Sequence, residues 1–149
     1  MAKIALFQPE IAGNVGSIIR TCACFDFELC VIEPCGFPFD IQRIKKSALD
    51  YIEHTKILRF ASFEDFFQTE IIEKNQRLIL ATTKGVLDYH QFQFQKNDII
   101  IFGTESCGVP DYIAQKAKQK ITIPMKNQMR SLNLAVSCAI IAAEFSTQI

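Results

Sequence analysis

Two polar loops and one helix face carry the residue types that chemistry needs. Gly103–Pro110, GTESCGVP, follows directly on the apolar run Asp98–Phe102. Two glycines with Thr104, Glu105 and Ser106 at the end of a buried strand offer approachable backbone N–H groups and a few polar side chains, the needs of a ligand loop. A second loop, Lys126–Arg130, leads into Ser131 and Asn133. The third group is Asn14, Gly16 and Arg20. Gly16 and Arg20 are four residues apart, on a helix face off the apolar stripe Val15, Ile18, Ile19, Cys22 and Ala23. A glycine there leaves room over the first turn, Arg20 can reach across it, and the helix start offers free N–H groups. Spacing alone favours an ordinary exposed helix arginine.

The remaining motifs narrow the chemistry by elimination. No GxGxxG follows the first strand, and there is no Walker A loop, no GxSxG and no metal-ligand spacing. His54 and His90 lie in mixed and polar segments and read as structural or solvated, and the sequence places no Cys–His or Ser–His pairing. What is left is a small, partly apolar pocket of backbone loops with Asn14, Arg20, Glu105, Ser131 and Asn133 beside basic surface. That set suits group transfer in which a cofactor brings the reactive group and the protein supplies position.

The elements that position these residues follow from periodicity. Ile4–Phe7, Leu29–Ile32, Leu78–Ala81 and the stretch Asp98–Phe102 are short apolar runs, the mark of strands buried on both faces, and Ile121-Thr122-Ile123 is a short strand-like run ended by Pro124. Helical patterns separate them: one from Gly13, one capped by Asp40 with Ile41, Ile44, Ala48 and Leu49 inward, one opened by Ser62 with a Phe63, Phe66, Phe67, Ile71 stripe, and a short one after Pro110. The alternation predicts an α/β fold with a mostly parallel sheet and helices on both faces. Ligands of such sheets lie beyond the carboxyl ends of the strands, where the loops after Ala81, Phe102 and Ile123 can meet. From Leu132 to Ala143 only Asn133 and Ser137 are polar, so this last helix, with Ser131 as its expected N-cap, is expected to be buried on most sides under other segments or in a subunit interface.

Composition bounds the rest. A chain of 149 residues with 49% hydrophobic and 21% charged residues is expected to be one folded domain, residues 1–149. The start leads straight into a strand pattern and no apolar run is long enough to span a bilayer, so no membrane partner and a cytoplasmic location are expected. Six cysteines without a CxxC pair read as reduced thiols, four of them in core segments. Net charge is zero, but no acidic residue falls between Tyr112 and Ala143, where Lys116, Lys118, Lys120, Lys126 and Arg130 lie. A second basic cluster is Arg43, Lys45, Lys46, Lys56 and Arg59. Both also fit ordinary solvated faces.

Three separated segments, Asn14-Val15-Gly16-Ser17-Ile18-Ile19-Arg20, Phe102–Pro110 (FGTESCGVP), and Ile123-Pro124-Met125 running to Ser131-Leu132-Asn133-Leu134, resemble the motifs of the SPOUT, or α/β-knot, superfamily of S-adenosylmethionine-dependent RNA 2'-O-methyltransferases. Phe7–Ile11, Ile32-Glu33-Pro34, Leu49-Asp50-Tyr51 and Thr82–Gly85 are similar to its small single-domain branch, which methylates the wobble nucleotide of tRNA. After Asn133 the chain has Ala135-Val136 where some wobble enzymes have Ser-Asn. The resemblance implies a C-terminal deep trefoil knot, a homodimer packed through the last helix, and tRNA, through its anticodon stem-loop, as partner. It implies S-adenosylmethionine as co-substrate, without a metal. By matching position, Ala81, Gly103, Ile123, Met125, Ser131 and Leu132 would contact the donor, and Asn14, Arg20, Glu105, Ser131 and Asn133 would form the catalytic set. The alternatives are another tRNA or ribosomal RNA position, or a non-catalytic knotted RNA-binding protein.

Overall fold

Three strands are buried at every position: β1 (Lys3–Phe7), β2 (Glu28–Ile32) and β6 (Asp98–Phe102). The structure, a computed structural model, describes residues 1–149. It adds β3 (Ile57–Phe60), β4 (Arg77–Ala81), the two-residue β5 (Leu87–Asp88) and β7 (Gln119–Thr122). All pair in parallel in the order β3-β2-β1-β6-β4-β7-β5. The helices are α1 (Ala12–Phe25), α2 (Ile41–Ala48), α3 (Phe63–Phe66, continued by a π-helical turn to Ile72), α4 (Asp111–Lys116) and α5 (Leu134–Gln148).

Successive strand residues feed opposite faces, as pleating requires. Ile4, Leu6, Leu29, Val31, Ile79 and Ile100 pack with α1, α2 and α5. Ala5, Phe7, Cys30, Ile32, Ile99 and Ile101 pack with Phe60, Phe63, Phe66 and Ile113 on the other side. The expected α/β architecture with both faces covered is therefore present, and the Phe63–Phe66 aromatics are core.

β3 and β5 were not expected. β3 is an edge strand whose Arg59 faces solvent, and β5 is too short to leave a pattern. β5 matters for the site. Ala81 at the end of β4 and Leu87 at the start of β5 both lie level with Ile121 of β7, on its two sides. The segment Thr82–Val86 must therefore arch over the end of β7. Thr82 N donates to Ile121 O at 2.9 Å, and a Cβ on Gly85 would meet the Ile121 carbonyl carbon at 2.8 Å.

Two helices differ from expectation. In α2 Asp40 caps as expected, accepting from Gln42 N at 2.9 Å, and Ile44 and Ala48 are buried, but Ile41 and Leu49 are 57% and 48% exposed. The helix lasts only two turns, so its end residues overhang the α1 surface that buries its middle. α5 begins at Leu134 and is half buried: Cys138, Ile141, Ala142 and Phe145 face the core, while Val136 is 47% exposed. Its outer face is also apolar, and no segment of this chain covers it. All six cysteines are free, with Cys22, Cys30 and Cys138 buried. Burial pushes the Cys22 and Cys30 thiols up to about 12. Cys35 is half buried, and Cys24 and Cys107 are exposed, so three thiols rather than four are core. No helix is long and apolar enough to cross a membrane.

Candidate active site

A cavity of about 810 Å³ opens at the carboxyl ends of β4, β6 and β7, the place where parallel sheets hold ligands. Each neighbouring strand sends one loop into it. The arch Thr82–Lys84 comes from β4, Gly103–Val109 from β6, and Ile123 to Leu134 from β7.

The β6 loop closes on itself. Thr104 N donates to Gly108 O at 2.9 Å, and Gly108 N donates back to Thr104 O at 3.1 Å. Gly108 has φ +70°, where a side chain is strained. A Cβ on Gly103 would lie 2.3 Å from the Gly108 carbonyl carbon. Gly103 is thus required by close backbone approach and Gly108 by its left-handed backbone. Glu105 locks the loop to the chain after β1: its Oε2 accepts from Glu10 N at 2.7 Å. In return Glu10 Oε1 accepts from Ser106 N at 3.2 Å and Ser106 Oγ at 2.6 Å. Glu105 Oε1 is buried with no partner, an acceptor left for a ligand or substrate donor.

The β7 loop is tied down by Asn133. Its Oδ1 accepts from Ala135 N at 2.8 Å and Val136 N at 3.3 Å, so Asn133, not the expected Ser131, caps α5. Ser131 falls two residues too early, because the chain is still non-helical until Leu134. The Asn133 amide also donates to Asn14 Oδ1 at 3.0 Å, across 119 residues of sequence. Asn14 is 7% exposed at the start of α1, so this bond joins the first motif to the last. We expect Asn133→Ala to cost about 1–2 kcal/mol, from the lost cap and the unpartnered Asn14 oxygen. Urea unfolding at neutral pH checks this.

Asn14, Ala81, Gly103, Glu105, Ile123, Met125, Ser131, Leu132 and Asn133 all line this one cavity. Arg20 does not. Gly16 leaves no room for it to reach across: a Cβ on Gly16 would lie 1.8 Å from Ser47 Oγ and 2.7 Å from Ile44 O, so α2 packs into that gap. Arg20 is exposed, with its guanidinium 5.2 Å from the centre of the Tyr51 ring, a cation–π contact. It forms no ion pair. The second basic cluster divides similarly. Lys56 pairs with Glu28 and Arg59 with Glu33, while Arg43, Lys45 and Lys46 remain exposed and unpaired. The Glu10–Ser106 lock and the Arg20–Tyr51 contact were not expected, since neither is a local pattern.

A family model, the SpoU rRNA Methylase family, matches residues 1–143. A Beijerinckia indica protein named tRNA (cytidine(34)-2'-O)-methyltransferase is 38% identical over 98% of this chain and 91% of its own length. An Escherichia coli K12 protein of the same name is 40% identical over 97% of this chain and 91% of its own length. Among solved structures, one concerned with the 2'-OH methylation of C/U34 on tRNA superimposes with a TM-score of 0.93 at 32% identity, over 99% of this chain and 95% of that one. The SpoU methyltransferase AviRb of Streptomyces viridochromogenes, solved with AdoMet, shares the fold, with a TM-score of 0.89 at 21% identity over 99% of this chain and 60% of that one. The family to which the three motifs pointed is the one these comparisons return, and the chain belongs to the SpoU rRNA Methylase family.

Proposed function

We propose that this chain transfers a methyl group from S-adenosylmethionine to the ribose 2'-oxygen of the wobble nucleotide, cytidine or uridine 34, in the anticodon loop of tRNA. The activity named for relatives at 38–40% identity over almost the whole chain supports the substrate. The observation that carries the reading is the single cavity into which all three motifs converge, closed by the Asn133–Asn14 bond.

The cavity fits the co-substrate in size, since about 810 Å³ lies within the usual range for small-molecule sites, roughly 300–1,000 Å³. Backbone groups at Ala81, Gly103 and Ile123 would hold it, and Met125 and Leu132 would wall an apolar ring. When bound, it supplies a methyl on a sulfonium, already electrophilic. The protein's task is then the 2'-hydroxyl, a weak acid. Arg20 is a guanidinium, which keeps its proton and is a poor base. Its role is to hold the neighbouring phosphate and stabilise the alkoxide as it develops. Tyr51 beneath the guanidinium restricts where that fork points. The free Glu105 oxygen, Ser131 and the Asn14–Asn133 pair orient the ribose.

The partly exposed stripe of α5 with Val136, and Leu132 just before it, support a homodimer packed through this helix, which would add one subunit's basic surface to the other's. The exposed Arg43, Lys45, Lys46, Lys126 and Arg130 are the cations offered to the anticodon stem-loop. The arch of Thr82–Val86 over β7 supports a trefoil knot in this single domain. A cytoplasmic place follows from the tRNA substrate.

The test is transfer of labelled methyl from S-adenosylmethionine to tRNA from cells lacking this chain, followed by nucleotide mapping. Label at the 2'-oxygen of nucleotide 34 is expected. Label at another nucleotide would move the reading to a different RNA position. Donor binding with no label in any RNA would favour a non-catalytic RNA-binding protein.

A further inference from the structure

A second cavity, of about 560 Å³, lies beside the first and shares with it the wall Thr104 and Ser106–Val109. Its other sides are the chain after β1, with Gln8 and Glu10, and the chain after β2, with Pro34, Cys35 and Gly36. It is large enough for a ligand group and belongs to neither the donor site nor the catalytic set described above.

Glu10 is its organised polar group. Oε1 takes both the N–H and the hydroxyl of Ser106, and the Glu10 N–H is held by Glu105. From the other side Gly36 N donates to Pro9 O at 2.9 Å, and a Cβ on Gly36 would come within 2.9 Å of Glu10 Cα. Backbone and carboxylate are therefore both fixed. The Ser106 hydroxyl and then its N–H hold the carboxyl below the usual carboxylate range, so it is an acceptor only at neutral pH. Ser106 uses only Oε1, and apart from the Thr104 hydroxyl near the carboxyl no other group of the chain donates to it, so Oε2 keeps lone-pair capacity for a further donor. Phe7, Pro34, Val109 and Pro110 line the same cavity with flat apolar surface. A flat ring carrying an amine suits these walls and this free acceptor.

Resting on the proposed function, we infer that the second cavity receives the base of the target nucleotide, and that Glu10 Oε2 accepts a hydrogen bond from the N4 amine of cytidine. A carboxylate is a recognised partner for this amine. Uridine presents a carbonyl at the same place, which would face an acceptor with an acceptor. Glu10 is then a specificity-determining residue that favours cytidine over uridine, and Ser106 is the positioning residue that aims it.

Glu10→Gln changes one atom. Ser106 has two donors on one carboxylate oxygen and so selects the amide oxygen, which leaves the new NH₂ where Oε2 was. That group donates to the uridine carbonyl and repels the cytidine amine. The experiment measures kcat/KM on two tRNAs that differ only at nucleotide 34, together with donor affinity and thermal midpoint. The expected result is a cytidine-to-uridine ratio above one for the unaltered chain and roughly tenfold lower in Glu10→Gln, with donor affinity preserved. An unchanged ratio, or an equal loss on both RNAs, overturns the inference and leaves the proposed function standing. Failure of the unaltered chain to methylate nucleotide 34 in either RNA overturns both.

Discussion

Arg20→Ala is expected to lower single-turnover methyl transfer to tRNA by about 10²–10³-fold, the usual loss when one donor to a developing oxyanion is removed. Donor affinity is expected to stay within about twofold, because Arg20 does not line the donor cavity and the change removes no contact to it. The split between rate and affinity separates this role from a structural one. Arg20 caps nothing, pairs with no carboxylate and touches Tyr51 only through the ring face. Arg20→Lys retains the charge but loses the planar fork, and is expected to recover little. Rapid-quench kinetics and calorimetry with the methyl donor check both variants. Near-full turnover in the lysine variant would falsify the bidentate role, and a parallel fall in rate and donor affinity would move Arg20 into the donor site.

Glu70→Ala is expected to cost about 3–5 kcal/mol of stability, the usual penalty for stripping one partner from a buried ion pair. Glu70 is 1% exposed on the π-helical turn after α3. Its Oε2 lies 2.5 Å from Lys3 Nζ and its Oε1 2.6 Å from Lys74 Nζ. Lys3 is 4% exposed and also reaches Glu28 at 2.9 Å, its neighbour across the parallel ladder, and Glu28 in turn holds Lys56. Without Glu70, the buried Lys3 keeps one carboxylate, Glu28. All these residues start their strands or precede them, so the cluster sits at the end of the sheet opposite the cavity, and donor affinity at saturating stability should be unchanged.

The same cluster sets a pH window. Burial alone would raise the Glu70 and Glu28 carboxyls, but hydrogen bonds and charge from their lysines outweigh it and lower both below 4.5. Their contribution is therefore complete above about pH 4.5 and is lost as pH falls through the lowered folded values. Burial alone would lower the Lys3 ammonium; Glu70 and Glu28 raise it above 10.5. That contribution is complete below about pH 10.5 and is lost as pH rises through the raised value. Urea midpoints should differ most between the unaltered chain and Glu70→Ala at neutral pH. The gap should narrow at pH 3, where protonation has begun to do what the substitution does; a gap that widens there would reverse the assignment of sign.

Periodicity and residue type settled the local part of this protein. Continuous apolar runs of four or five residues require strands covered on both sides, and their alternation with helical stripes requires a parallel sheet. Glycines and small polar residues directly after Ala81 and Phe102 marked the loops at the carboxyl ends, and those loops do line the cavity. Asp40 and Ser62 cap where their types said they would. Such features were legible because each depends on residues within one turn or one strand.

The assembled chain decided what depends on partners far along the sequence. Asn133 displaces Ser131 as the α5 cap while bonding Asn14, 119 residues away. Glu10 and Ser106 lock across 96 residues. Gly16 serves the packing of α2 rather than access for Arg20, because Ser47 and the Ile44 carbonyl occupy the space. Within this chain the apolar α5 is half exposed, although its composition reads as buried on most sides, under other segments or in a subunit interface. Composition records how much apolar surface a helix has, and only the packed fold records which side this chain covers. Strand order is non-local in the same way: β7 enters between β4 and β5, and no property of Thr82–Val86 alone reveals that the chain must arch over a strand still about thirty residues ahead.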